Sequence, residues 1–472
     1  MKKFRITRGL FGIGVVVLAS IQFACVTSGH FPQATPTSTV EVAAIDPEMQ
    51  AAEKALGITQ DAPEPDQVAT PEASATMLPT ELPSTPLPDY FSQEYAASPL
   101  SYVIPLSVRH VTESRANLFF ELSEAAEGLL VYRATTPGLS QQGEIRLDSG
   151  QVRQAITLEG LAPGATYQAR VLLGSQASGY ARPQFTGEAW DPVRFKTASI
   201  KVPLRVGVLG DASFGDEATT QLVNLMASQD LDFVIHTGDV VYETDNSDLV
   251  NSYVKNFYLP FAPLLHEMPV YTVLGNHDYD NALEWQGAPF YDYAFPPFGD
   301  PAFSYPESRR SNQYYAVAYQ GVQFLFLDSQ TFYGVEGRAD QDAWLEERLA
   351  DERFRFTIPL FHVAPYSSSV VHPDDGRPVK LIWNPLFEQY GVPISFSGHF
   401  HHYERLNANG ITFIVSGGGS SVLYAQGEAL PESEIYIRRT HYVLMEIYED
   451  VIELYAISKE GELLDQAVIS IR

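Results

Sequence analysis

Five short polar motifs, each placed just after a short apolar run, constrain this chain more than any other feature. In chain order they are Gly210-Asp211, Gly238-Asp239-Val240-Val241-Tyr242, Gly275-Asn276-His277-Asp278, the lone His362, and Gly398-His399-Phe400-His401-His402-Tyr403-Glu404-Arg405. The runs leading into them cover residues 204–209, 232–237, 270–274, 356–361 and 393–397. Apolar runs this short, bounded by glycine and turn residues, read as buried strands. Residues 217–229, 247–266 and 341–351 read as intervening helices, and that alternation predicts a mainly parallel sheet with crossover helices. In such sheets ligands collect beyond the carboxyl ends of the strands, where all five motifs lie. A hairpin over 314–319 and 322–327 and strands at 411–415, 442–448 and 452–457 bring the total beyond one sheet. We therefore expect an α/β domain over residues 200–472, built as two packed sheets with outer helices.

Residues 100–199 have a different texture. Runs at 116–122, 128–133, 154–158, 166–173 and 194–197 are punctuated by turn residues at intervals typical of an all-β sandwich. The sharpest stretch, Leu158-Glu159-Gly160-Leu161-Ala162-Pro163-Gly164-Ala165-Thr166-Tyr167, resembles the turn into strand F of a fibronectin type III module. That resemblance makes Tyr167 the corner tyrosine, its hydroxyl bonding back to the upstream chain. No residue of this module points to chemistry, so a spacing or packing role is expected for it.

The N-terminus reads as an address. Lys2, Lys3, Arg5 and Arg8 precede an apolar run over residues 9–24, shorter than the roughly 20 residues that span a bilayer. Residues 1–25 are therefore expected to be a signal peptide. The run ends at Cys25, the sole cysteine of the 472-residue chain, which resembles the lipid-attachment cysteine of bacterial lipoproteins. Gln22 and Phe23 depart from that pattern, and plain cleavage or an uncleaved anchor remain alternatives. An extracytoplasmic protein, membrane-tethered or secreted, is the expectation. A single cysteine also excludes an intrachain disulfide. Residues 26–99, rich in Pro, Thr, Ser and Ala, bury too little apolar surface to offset ordering entropy and read as a disordered linker. As a flexible coil their reach is on the order of 45–50 Å. The net charge of −28 excludes a polyanionic partner, because nucleic-acid binders neutralise phosphates with clustered Lys and Arg.

The side chains of the five motifs include two carboxylates, a phenol, a carboxamide and three imidazoles that together make a set sized for two metal ions. Carboxylate and phenolate oxygens suit a hard trivalent ion, while imidazole and an amide oxygen suit a softer divalent one. A shared carboxylate can bridge the pair, and such pairs lower the pKa of a bound water and clamp phosphoryl oxygens. The chain offers no serine nucleophile elbow, Walker loop or dinucleotide fingerprint.

The ordered set Asp211, Gly238-Asp239-Val240-Val241-Tyr242, Gly275-Asn276-His277-Asp278, His362 and Gly398-His399-Phe400-His401 resembles the calcineurin-like metallophosphoesterase superfamily. Tyr242 places the resemblance in the purple acid phosphatase branch, where other branches carry a histidine at the position of Ser213. The Tyr403-Glu404-Arg405 tail and Gln341 with Trp344-Leu345 fit the plant-like and bacterial forms of that branch. The resemblance implies a two-sheet αββα sandwich, preceded by the fibronectin type III-like module. It implies one ion, ferric in the family, on Asp211, Asp239, Tyr242 and His401. A second ion (iron, zinc or manganese) would lie on Asp239 as bridge, Asn276, His362 and His399. It further implies that His277 contacts the substrate phosphate and that His372 binds phosphate or protonates the leaving group. The activity implied is hydrolysis of a small phosphomonoester by a hydroxide made at the metal pair. Alternatives are a phosphodiesterase or nucleotide hydrolase on the same site, or a surface binding module on an inactive phosphoesterase scaffold.

Each residue also has a plainer reading. Asp211 or Asp239 alone could cap a helix, Tyr242 could be a packed aromatic, and His372 an exposed loop histidine. His402 is expected in a supporting or surface role, and His236 as a satisfied core histidine. His110, His266 and His441 carry no functional expectation. The loop 284–310 could wall the pocket with Trp285, Phe290, Tyr291 and Tyr293, or pack between strands.

Overall fold

A computed structural model describes residues 87–190, 192–199, 202–212, 214–242, 252–279, 288–295 and 313–471, with the side chains of 289, 290 and 293 excepted. The segment expected to be a signal peptide, Cys25, most of the expected linker, Ser213 and Trp285 lie outside the described residues. All the described residues belong to one compact unit, Pro71–Arg472. Among them no helix is long and apolar enough to cross a membrane.

Nine strands make an all-β region: β1 (Ala96–Val111), β2 (Arg115–Leu122), β3 (Gly128–Ala134), β4 (Gln142–Arg146), β5 (Arg153–Glu159), β6 (Thr166–Ser175), β7 (Gly179–Phe185), β8 (Glu188–Ala189) and β9 (Val193–Lys196). They run in the order β4-β3-β6-β7-β1-β2-β5, with β8 on β7 and β9 on β6. The 16-residue β1 joins two sets of strands. Its first residues pair parallel with β7, and from Tyr102 to Val111 it pairs antiparallel with β2. The inward residues of both sets, among them Leu106, Leu118, Phe120, Tyr167, Val171 and Phe195, form one core. Tyr167 behaves as its sequence context predicts: its hydroxyl accepts from the Ala162 amide at 2.8 Å and donates to Gln141 Oε1. Packed structure begins ahead of residue 100, where the sequence reading placed it. Tyr90 is already buried against Leu129, Val131 and Leu172.

From residue 204 the chain is mixed α/β. The strands are β10 (Leu204–Leu209), β11 (Phe233–His236), β12 (Val270–Thr272), β13 (Tyr315–Tyr319), β14 (Val322–Phe326), β15 (Phe356–Val363), β16 (Ile394–Gly398), β17 (Tyr403–Ala408), β18 (Ile411–Ser416), β19 (Ser433–Ile437), β20 (His441–Ile447), β21 (Val451–Ser458) and β22 (Leu463–Ser470). One sheet has the order β12-β11-β10-β20-β21-β22 and the other β13-β14-β15-β16-β18-β17-β19. The long helices are α1 (Glu217–Ala227), α2 (Arg338–Leu349) and α3 (Arg377–Gln389).

Strand alternation explains the layering. Phe324, Phe326, Ile358 and Leu360 face the first sheet and share its core with Phe233 and Ile235. Their neighbours Leu325, Leu327 and Phe361 point the other way, onto Trp344, Leu345, Val379, Trp383 and Phe387 of α2 and α3. On the far face of the first sheet α1 buries Leu222, Val223 and Met226.

The described part of residues 247–266 is largely helical, as expected, but interrupted: a wide helical turn spans Val254–Tyr258 and a separate helical turn Ala262–Leu265. Pro260 and Pro263 remove the amide donors that a continuous helix requires. Helix α3 was not anticipated, because Pro378 and Pro385 disguise it. Pro378 occupies the first turn, where the missing N–H has no partner to lose.

The two histidines nearest the join have packing roles. His110 Nδ1 lies 2.7 Å from the Tyr271 hydroxyl, and the Trp190 ring sits 4.4 Å from the His266 ring. Arg109 donates to the Ala294 carbonyl at 2.9 Å. These contacts fasten the all-β region to the mixed one.

Candidate metal centre

The parallel strands β10, β11, β12, β15 and β16 carry the five motifs at their carboxyl ends: Asp211, Asp239, Asn276 and His399 lie in the turns that follow β10, β11, β12 and β16, and His362 is the penultimate residue of β15. Asp211, Asp239 and His399 all adopt left-handed backbone angles (φ 55°, 52° and 67°), as does His372 (φ 57°). Non-glycine residues held there are strained by roughly 1–3 kcal/mol each and persist only where their surroundings over-determine them. The constraints are visible. The His399 amide donates to Asp211 Oδ2 at 3.0 Å, the His277 amide to Asp239 Oδ1 at 2.9 Å, and the Asp211 amide to the Gly238 carbonyl at 3.2 Å.

Asp278 braces two of these turns. Its carboxylate accepts from Gly275 N at 2.8 Å, from Val240 N at 3.0 Å and from Val241 N at 3.2 Å. Burial and the nearby Asp239 charge push the Asp278 carboxyl up to about 7, against the pull of those amides.

The donor atoms form two adjoining groups. In the first, His401 Nε2 lies 3.4 Å from Asp211 Oδ1, and the Tyr242 hydroxyl meets His401 Nε2 and lies 3.5 Å from Asp211 Oδ1. In the second, His362 Nε2 lies 3.3 Å from Asp239 Oδ1 and 3.2 Å from Asn276 Oδ1, and His399 Nδ1 lies 3.0 Å from the same Asn276 oxygen. One donor atom each from Asp211, Asp239 and His362 fall within 4.8 Å of one another, all three residues buried. Asp239 also hydrogen-bonds Tyr242 and so sits between the groups. All seven residues named from the motifs are thus brought together. His277 stacks over Tyr242 with ring centroids 4.2 Å apart, and exposed His372 reaches the rim, its ring 5.5 Å from that of His399.

The ring protons of the three imidazoles are forced by partners that can only accept. His362 Nδ1 faces the Thr237 carbonyl at 2.8 Å, His401 Nδ1 the Val422 carbonyl at 3.0 Å, and His399 Nε2 the Asp375 carboxylate at 2.9 Å. Each of those nitrogens must carry hydrogen, so the neutral rings direct lone pairs at Asp211, Asp239, Asn276 and Tyr242. Lone pairs facing carboxylate and carboxamide oxygens at about 3 Å repel unless a cation or proton lies among them. The residues therefore fit a metal centre. Protonation answers part of the same demand: burial opposes charging His362, yet the Asp239 carboxylate raises it to about 9. Burial likewise opposes ionising Asp239, but the His362 charge holds it far below the usual carboxylate range. Burial, with the charges of Asp239 and Asp211, pushes the Tyr242 phenol well up; a bound cation would act in the opposite direction.

Two participants carried no sequence signal. Asp375 sits in a Pro-Asp-Asp-Gly loop that reads as surface turn. Tyr424 stacks on the His401 ring at 4.1 Å, 23 positions beyond it, where composition says nothing. Of the remaining histidines, His402 is fully buried, its Nε2 3.1 Å from Glu404 and its ring stacked on Tyr436. His236 corrects the expectation of a satisfied core residue. It is fully buried, and neither ring nitrogen has a hydrogen-bond partner among the described residues. Tyr291 does not wall the pocket; it is buried and bonds the Thr272 carbonyl at 3.0 Å.

Residues 204–403 match the calcineurin-like phosphoesterase family. Purple acid phosphatase 18 of Arabidopsis thaliana is 30% identical over 217 residues, covering 44% of this chain and 46% of that protein. Purple acid phosphatase 15 of the same plant is 26% identical over 329 residues, covering 64% and 58%. A nucleotide pyrophosphatase/phosphodiesterase of Hordeum vulgare is 29% identical over 43% of this chain and 62% of its own length. The chain thus spans about half the length of the curated relatives it matches. Among solved structures, a purple acid phosphatase from yellow lupin seeds superposes with a TM-score of 0.59 at 18% identity, covering 77% of this chain and 74% of that one. That shows a shared fold. It also covers more of the chain than residues 204–472 make up, so the likeness extends into the all-β region.

Proposed function

We propose that the chain is a dinuclear-metal phosphoester hydrolase, acting as a phosphomonoesterase of the purple acid phosphatase type. The forced ring-proton arrangement carries this reading: three imidazole lone pairs converge on two carboxylates, a phenol and a carboxamide, a donor set that two cations complete. Bound there, iron(III) with iron(II), zinc or manganese would polarise phosphoryl oxygens and supply a water deprotonated near neutral pH. Asp211, Tyr242 and His401 would hold one ion, Asn276, His362 and His399 the other, and Asp239 both. His277, stacked on Tyr242, is placed to donate to a phosphoryl oxygen. His372, exposed at the rim, is placed to give a proton to the leaving oxygen. The all-β region serves as a fibronectin type III-like packing module, and the chain ahead of its first packed residues, near Tyr90, as export signal, lipid anchor at Cys25 and tether.

The name of the barley relative favours a second reading, hydrolysis of diesters on the same centre. Comparing a chromogenic phosphomonoester with the matching diester, on the full chain from acidic to alkaline pH, separates the two. Faster monoester turnover abolished by chelation supports the proposal; faster diester turnover replaces it. Asp239→Asn should abolish nearly all turnover while the protein stays folded, and retained activity in that variant would remove the mechanism.

A further inference from the structure

The three imidazoles of the centre are not held alike. His362 and His401 send their ring N–H to backbone carbonyls, Thr237 and Val422, which no substitution removes. His399 alone depends on a side chain, the carboxylate of Asp375 at 2.9 Å. We propose that Asp375 is a positioning residue for the second half of the centre. By accepting the His399 Nε2–H it fixes the tautomer and ring plane that turn Nδ1 toward Asn276. This rests on the metal reading above.

The surroundings of Asp375 support that role. Its segment is pinned at both ends. At Gly376 the backbone passes so close to the end of β15 that an added Cβ would lie 1.9 Å from the Ala364 carbonyl oxygen. At Ser368 the amide and hydroxyl donate to the buried Glu404 carboxylate at 2.9 and 2.6 Å. The Asp375 amide donates to the His372 carbonyl at 3.1 Å, and its own carbonyl accepts from the Tyr333 hydroxyl. The backbone bearing the carboxylate therefore has little freedom, and the carboxylate is fixed relative to β15 and its His362. The same Oδ2 lies 3.4 Å from His372 Nδ1. One oxygen thus orients both a metal-facing imidazole and the rim imidazole assigned to the leaving group. Carboxylates behind ligating histidines set ring orientation and raise basicity, and losing one typically weakens metal affinity by about 10–100-fold.

The test measures metal retention, not activity alone. The full chain, as wild type, Asp375→Ala and Asp375→Asn, is dialysed against graded chelator and its zinc or manganese and iron counted by elemental analysis, with thermal unfolding followed alongside. Asp375→Ala should lose one equivalent at about 10–100-fold lower chelator strength and keep the other. Asp375→Asn keeps an acceptor oxygen and should recover part of that loss. Wild-type protein that binds no metal would overturn the metal reading itself. Two tightly held equivalents in wild type and in Asp375→Ala would overturn the role of Asp375 alone. So would simultaneous loss of both ions with a lowered melting temperature, since that marks a structural residue. Asp375→Asn no better than Asp375→Ala would refute the hydrogen-bond account.

Discussion

Gly275 tests the geometry of the centre most sharply, because its backbone gives no reason for glycine. Its φ of −101° suits any residue, so only the space around it forbids a side chain. An alanine Cβ there would lie 2.1 Å from Asp239 Oδ1 and 2.2 Å from the Asp239 amide nitrogen. Comfortable carbon–oxygen contact begins near 3.3 Å, so Gly275→Ala requires a displacement of about 1 Å. The turns cannot simply part, since Asp278 ties Gly275 N to Val240 N and Val241 N through one carboxylate. The shift must then pass into Asp239, the carboxylate placed between the two donor groups. Overpacking of this kind costs about 1–3 kcal/mol of stability. A misplacement of 1 Å at a reacting centre costs roughly a hundredfold in rate. Turnover of a phosphomonoester, metal content by elemental analysis and a thermal melt would be measured together. The comparison is Gly150→Ala, where the nearest atom to an added Cβ is 3.4 Å away and no change is expected. Wild-type metal content and turnover in Gly275→Ala would refute the argument that this glycine exists to admit Asp239.

Two predictions concern buried histidines away from the donor set. Burial depresses His441 to about 4 from an ordinary value of 6.5, so the unfolded chain takes up a proton first as pH falls. Its contribution, at most about 3 kcal/mol, is complete above pH 6.5, declines between about 6.5 and 4, and is gone below that. Denaturant titrations of wild type and His441→Gln should therefore diverge in slope across that window, and parallel curves would contradict it. Replacing His236 by leucine removes two buried nitrogens that no described residue satisfies. Stability should rise by about 1–3 kcal/mol, and a fall in melting temperature would mean the ring has a partner.

The sequence made the strands legible and their ends informative. Residues 204–209 match β10 in full, and four of the five ligand motifs begin where an apolar run ends, while His362 still lies within the last residues of β15. What stayed hidden depends on contacts between distant segments. Asp375 is one of two aspartates in a turn, and only the packing of that turn against His399 distinguishes it from Asp374. Helix α3 was masked by two prolines, one of them harmless at its first turn. Strand β1 begins in mostly exposed residues, and Ala96 pairs there with Ala181 of β7, far along the chain. His236 lies in an apolar run that advertises a core residue, and no periodicity reveals that its nitrogens would find no partner.

The strain at this edge bears on whether the centre is used. Among the described residues only seven other than glycine have positive φ, and Asp211, Asp239, His372 and His399 are four of them. At roughly 1–3 kcal/mol each, glycine at these positions would relax the fold, as would leucine at His236. Folding alone has no need of Asp239 and His362 fully buried and side by side, since that placement is favourable only with a proton or a cation between them. An inert scaffold kept for adhesion would be stabilised by losing each of these features. The chain keeps all of them at once, in the one place where strand ends, ring protons and glycine clearances all converge. That pattern is what a working centre requires, and it weighs against the binding-module alternative.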